Sequence, residues 1–172
     1  VNALLISKRG LAADYREAFV NSGITKIYTA EGENFETYNT DYFAKAAVDV
    51  IQEIKPEILL IGATNQGRDL APRISTALHT GLTADCTGLD INEKGQLAAT
   101  RPTFGGQLMA TILCKNLPQM ATVRPKVFKP AEHNFVKPAE IIYKEINLEN
   151  TPKNVELLEF QRKLTSEINE LD

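Results

Sequence analysis

The hydrophobic positions of this 172-residue chain alternate between two periods, and the alternation predicts the architecture. VNALLIS, at the start, reads as a short buried strand, Ala12 to Gly23 as a helix ending at glycine, and KIYTA, Lys26 to Ala30, as a second strand. Thr40 to Lys55 carries the clearest amphipathic helix. Tyr42, Ala46, Ala47, Val50 and Ile54 fall on one stripe, Thr40 is placed to cap it, and Pro56 stops it. The apolar run EILLIG that follows suits a parallel strand covered on both faces. RDLAPRISTALHTG predicts another helix, closed by Gly81.

From Thr83 the period shortens. ADCTGLDIN, GQLAATRPTFGG, QLMATILC and QMATVRPKVF are successive β-rich segments, with a hairpin turn expected from Asn92 to Gly95. The fold class expected is therefore α/β: a three-layer α/β/α domain with a mainly parallel sheet, joined to a β-rich antiparallel or mixed second half. Residues 1–130 read as that domain. Residues 131–172 read as a linker with one strand, EIIYKEINL, and a terminal helix, VELLEFQRKLTSEINELD.

Composition narrows the function classes. A net charge of −3 argues against a basic nucleic-acid footprint or a polybasic membrane patch. No stretch approaches the roughly 18 apolar residues of a membrane span, and the N-terminus lacks a signal-peptide pattern. Cys86 and Cys114 are too few for a disulfide framework or a four-thiolate zinc site, so a reduced, cytoplasmic setting is expected.

Three groups of residues carry candidate chemistry. Gly62–Ala63–Thr64–Asn65–Gln66–Gly67–Arg68–Asp69 has the glycine spacing of a phosphate-binding loop. It puts Arg68 and Asp69 where the motif needs lysine and a hydroxyl, which leaves a loose anion site at a helix N-terminus or a tight structural turn. His79, Asp85 and Cys86 contain the residue types of a Cys–His nucleophile but no family signature, and His133 has no ligand spacing to partners. Thr100–Arg101–Pro102–Thr103–Phe104–Gly105–Gly106 and Thr122–Val123–Arg124–Pro125 each set an arginine at an expected strand end before a proline. Such guanidinium groups either face an anionic or electron-rich ligand or cap a sheet edge.

Read together, IGATNQGRDLAPRISTALHTGLTADCTGLDI, ATRPTFGGQLMATILC and PQMATVRPKVF closely resemble the N-terminal domain of the α subunit of electron-transfer flavoproteins, and most of all its bacterial and bifurcating-type branch. The resemblance covers roughly Gly23 to Phe128. It implies a Rossmann-like fold of the adenine-nucleotide-hydrolase kind and an electron carrier rather than a hydrolase or transferase. The implied partner is a β subunit, and the two form a base on which an FAD domain swivels. Electrons would come from acyl-CoA dehydrogenases, as in fatty acid β-oxidation, or from NADH.

The family holds the α-subunit FAD chiefly in a C-terminal domain whose glycine-rich motifs are absent here. The chain is therefore expected to be an internal fragment that binds no FAD alone. In bifurcating members of the family the β subunit carries a second FAD, and the resemblance carries Arg101 and Arg124 to the border of that flavin, where a guanidinium would favour the anionic reduced ring. The Gly62–Arg68 loop is similar in place to the nucleotide loop of the β subunit but does not reproduce its AMP-binding pattern, which makes it a vestigial or structural turn. The rival readings are a freestanding nucleotide-binding or hydrolytic α/β domain, which needs a competent phosphate loop, and a docking domain that touches no flavin.

Overall fold

A computed structural model describes residues 1–11, 15, 19, 22–129 and 139–159. In chain order its regular elements are β1 (Asn2–Ser7), β2 (Lys26–Glu31), α1 (Thr40–Ile54), β3 (Ile58–Gly62), α2 (Asn65–Ala77), β4 (Leu82–Cys86), β5 (Gly88–Ile91), β6 (Leu97–Thr103), β7 (Leu108–Leu113), β8 (Gln119–Val123) and β9 (Glu140–Tyr143). The strands form three sheets: parallel β1–β2–β9, parallel β3–β8–β4, and antiparallel β5–β6–β7. The α/β class, the mainly parallel pairing and the antiparallel addition agree with the sequence. The antiparallel part is confined to Gly88–Leu113, because β8 returns to lie between β3 and β4.

The helix ends differ from the expected ones for identifiable reasons. Asn39, rather than Thr40, caps α1: its side-chain oxygen accepts from the Asp41 and Tyr42 N–H groups at 3.1 and 3.2 Å. Lys55 takes the left-handed conformation before Pro56 and closes the helix. Thr64 caps α2 by accepting from the Gly67 N–H, so the helix starts inside the supposed phosphate loop. It ends at Ala77, not Gly81, as His79 turns left-handed at φ 52°.

Packing joins these elements into one body. Ala47 and Ile51 of α1, Ile74 of α2 and Met120 of β8 form the main buried cluster, with Leu4, Ile6, Leu59, Ile61 and Leu82 packed on it. A second cluster of Cys86, Leu97, Ala99 and Ala121 fastens the antiparallel sheet to β4 and β8. A third, of Ala30, Phe35 and Ala46, receives Ile146 and Leu148 from beyond β9. The turn at Asn92–Gly95 forms as expected: Asn92 Oδ1 accepts from the Lys94 and Gln96 N–H groups, and Gly95 supplies φ 74°.

The strand read in EIIYKEINL is limited to Glu140–Tyr143, and residues 155–159 of the expected terminal helix form no regular element. The rest of that helix, His133, and most of the helix drawn from Ala12 to Gly23 lie outside the described residues.

Candidate functional site

Three parallel strands end together, with Gly62, Val123 and Cys86 in register across β3, β8 and β4. The crevice beyond the carboxyl ends of such strands is where open α/β sheets take ligands. Here a bulge in β4 shapes the end of the sheet. The register slips between Thr83 and Cys86, and Asp85 adopts φ 61°. Aspartate tolerates this left-handed conformation better than most residues. The Asp85 N–H donates to Thr122 Oγ1 at 2.7 Å, and the Arg124 N–H to the Cys86 carbonyl at 3.0 Å.

The bulge turns the Asp85 carboxylate to a set of arginines. Arg124 donates from Nη2 at 2.6 Å and Nε at 3.3 Å, and Arg68 donates from Nη2 at 3.0 Å. Arg68 also donates from Nε to the Ala63 carbonyl at 3.0 Å, which ties it to the end of β3. Arg101 approaches from β6, and its charge acts on both Asp85 and Cys86. Its Nε is buried and has no hydrogen-bond partner among the described residues. One carboxylate among three guanidinium groups leaves this end of the sheet positive.

Hydrogen bonds from Arg124, outweighing the opposing effect of burial and helped by the charges of Arg124, Arg68 and Arg101, hold the Asp85 carboxyl below its usual range. The Tyr38 and Thr40 hydroxyls do the same for Asp69, against a smaller opposing effect of burial. In return, burial and the Asp69 hydrogen bond push the Tyr38 phenol up to about 12. A carboxyl depressed on folding contributes stability above its unfolded value of about 4 and loses it as pH falls through the lower folded value. The melting temperature should therefore hold between about pH 5 and 7 and fall below about pH 4. Asp85→Asn should make that acid decline shallower. A decline of unchanged steepness in the variant refutes the assignment to Asp85.

The structure sorts the sequence candidates. The loop does not cradle phosphate: the Gly67 N–H goes to Thr64 Oγ1, the Arg68 N–H goes to the Thr64 carbonyl, and Arg68 itself turns to Asp85. His79 lies before the start of β4 and Cys86 at its far end, so Cys86, His79 and Asp85 form no nucleophilic set. Cys86 is fully buried, and burial pushes its thiol up. Arg124 follows β8 directly, as expected, but Arg101 does not end its strand. Arg101 and Pro102 pair with Ala110 and Met109 inside β6. Proline fits there because β5 pairs only with Leu97–Thr100, leaving residue 102 flanked by a strand on one side alone. Asp85, weighed in the sequence only as a partner for histidine, is the hub of the site.

Beyond the crevice β6 and β7 run on as an arm with much apolar surface. Phe104 is 78% exposed at its tip, and Leu108 and Met109 are each 59% exposed. Met109 and Leu113 share the face turned away from buried Leu97 and Ala99, while Ile112 and Leu108 continue the inner face past the core. An arm apolar on both faces is unusual for a surface left to water. No helix among the described residues is long and apolar enough to cross a membrane.

The described residues thus form a mainly parallel α/β domain with three arginines around one carboxylate at its strand ends and an exposed apolar β6–β7 arm. Residues 1–148 match the electron transfer flavoprotein domain, and the chain belongs to that family. It is 42% identical over 151 residues to the electron transfer flavoprotein subunit alpha of Thermoanaerobacterium thermosaccharolyticum, covering 87% of this chain and 46% of that one. It is 43% identical over 163 residues to the subunit alpha of Megasphaera elsdenii, covering 92% and 48%. It is also 42% identical over 152 residues to the acryloyl-CoA reductase electron transfer subunit beta of Anaerotignum propionicum, covering 73% and 41%. The chain thus spans less than half the length of these relatives.

Proposed function

We propose that this chain is the domain of an electron transfer flavoprotein α subunit that binds the β subunit and supports FAD-mediated electron transfer from acyl-CoA dehydrogenases or NADH. The observation that carries this reading is the β6–β7 arm. Exposed Met109 and Leu113, beside Pro102 on the same face, offer a ready anchor for a partner, and few such anchors dominate an interface.

The site residues suit a flavin of that partner. The buried Nε of Arg101 has no acceptor among the described residues, and an electron-rich ring edge would supply one. FAD, when bound, supplies the redox chemistry; the arginines orient its edge and oppose the negative charge that reduction brings. Arg101 is the primary border residue in this reading. Arg124, already held by Asp85, is a secondary one.

The test is co-purification of the full-length α subunit with its β subunit. The double variant Met109→Asp, Leu113→Asp is expected to weaken pairing by at least about a hundredfold, as loss of two buried apolar anchors should. Melting of this chain alone should change little, because both side chains are exposed in it. Undiminished pairing of the double variant overturns the arm as the docking surface.

A further inference from the structure

The arginines of the crevice are not equivalent, and the difference traces to one carboxylate. Asp85 engages two of them: Oδ1 accepts from Arg68 Nη2 and Arg124 Nε, and Oδ2 from Arg124 Nη2. It makes no such bond to Arg101 while lying within reach of that charge. The side chains of Arg68 and Arg124 are about half exposed, at 55% and 41%, whereas that of Asp85 is only 19% exposed. The exposed cations thus depend on a largely covered anion for their orientation.

That anion is itself fixed by backbone. The left-handed bulge at Asp85 is pinned by its N–H bond to Thr122 Oγ1, an oxygen on a residue 1% exposed. The Arg124 N–H closes the other side of the bulge on the Cys86 carbonyl. Moreover, Arg68 is tethered a second time, to Ala63. Two guanidinium groups are consequently held on Asp85, and Arg101 Nε has no acceptor among the described residues.

We propose that Asp85 is a positioning residue: by holding Arg68 and Arg124 it leaves Arg101 as the uncommitted guanidinium and sets the net charge met by an anionic ring edge. This rests on the flavin reading above. Asp85 touches no reacting atom. It acts by orienting two cations and by offsetting one unit of positive charge, and at short range in a partly covered site that offset matters more than in water.

The experiment uses the full-length α subunit assembled with its β subunit, and reads the β-subunit flavin potential alongside a thermal melt. Asp85→Asn removes the negative charge and keeps one carbonyl acceptor. It should raise the potential, shifting the reduction equilibrium several-fold toward the reduced flavin, with a modest loss in melting temperature. Asp85→Glu restores the charge and should return the potential most of the way. Arg101→Ala should move the potential the opposite way, downward.

If Arg101→Ala shifts the potential and Asp85→Asn changes only the melt, the positioning role is overturned and the flavin reading survives. If neither variant moves the potential, both are overturned. Should Asp85→Asn fail to assemble, Arg68→Gln serves instead, since its side chain is the most exposed of the pair. It removes one cation and releases part of the Asp85 charge, so the potential should fall; an unchanged potential there overturns the role equally.

Discussion

Alanine in place of Gly67 is expected to lower the melting temperature by roughly 4–12 °C, the equivalent of about 2–3 kcal/mol in a domain of this size. A Cβ at this position would fall well inside the Gly62 carbonyl oxygen, 3.1 Å from the carbonyl carbon and 3.2 Å from Ile61 Cγ2. Two effects compete. Alanine is the better helix former by about 1 kcal/mol, and Gly67 sits in the first turn of α2. The obstacle, however, is backbone at the end of β3, which cannot swing aside as a side chain would, so the helix must lift from the strand. The clash should win. Exposed Gln66, one position earlier, provides the comparison: Gln66→Ala should change stability by no more than about 0.5 kcal/mol. A Gly67→Ala protein that melts with the parent removes the close-approach explanation.

That glycine shows what sequence reading can and cannot reach. The Gly62–Gly67 spacing marks a strand-to-helix junction, and at Gly67 the close approach of the helix to the strand end requires glycine. Spacing alone does not say whether the space left by a missing Cβ holds phosphate or protein. Here it holds the Gly62 carbonyl. The strands β1 to β3 and helix α1 were legible because their apolar periods are local, whereas ADCTGLDIN reads as one segment and is divided between parallel β4 and antiparallel β5. The placement of β8 was not: QMATV has the same composition whether it joins an antiparallel meander or returns between two parallel strands.

The site was half legible for the same reason. Arg101 and Arg124 stand out by their prolines, and Arg68 by its loop. Their convergence on Asp85 depends on a one-residue register slip in β4 and on three strands meeting at one edge. No local pattern encodes that meeting. A faint signal existed in the residue type, since aspartate is among the few side chains that accept φ near +60°. The tie between Tyr38 and Asp69, at 2.6 Å, is a similar case, joining the chain before α1 to the first turns of α2.

Met120→Ala is expected to cost about 2–5 kcal/mol, more than any other single change considered. Met120 is 1% exposed on the central strand of the β3–β8–β4 sheet, with Leu59 beside it in one neighbour and Leu82 in the other. Its side chain fills the space between the sheet and α1 and α2, against Ala47, Ile51 and Ile74. Truncation removes apolar contact and leaves a cavity that two helices and a sheet cannot close without moving apart. Leucine nearly conserves the volume, so Met120→Leu should cost less than about 1.5 kcal/mol. The location also separates packing from the charge cluster. Met120 lies two residues before Thr122 on the same strand, yet touches the core rather than the crevice. The alanine variant should therefore melt at a lower temperature throughout while keeping the parent's acid decline, since Asp85 and its arginines retain their bonds. Chemical denaturation at pH 7 and pH 3.5 distinguishes the cases. A Met120→Ala protein within about 1 kcal/mol of the parent is incompatible with a tightly packed core here. One whose acid decline flattens shows instead that the packing under β8 holds the arginine cluster in place.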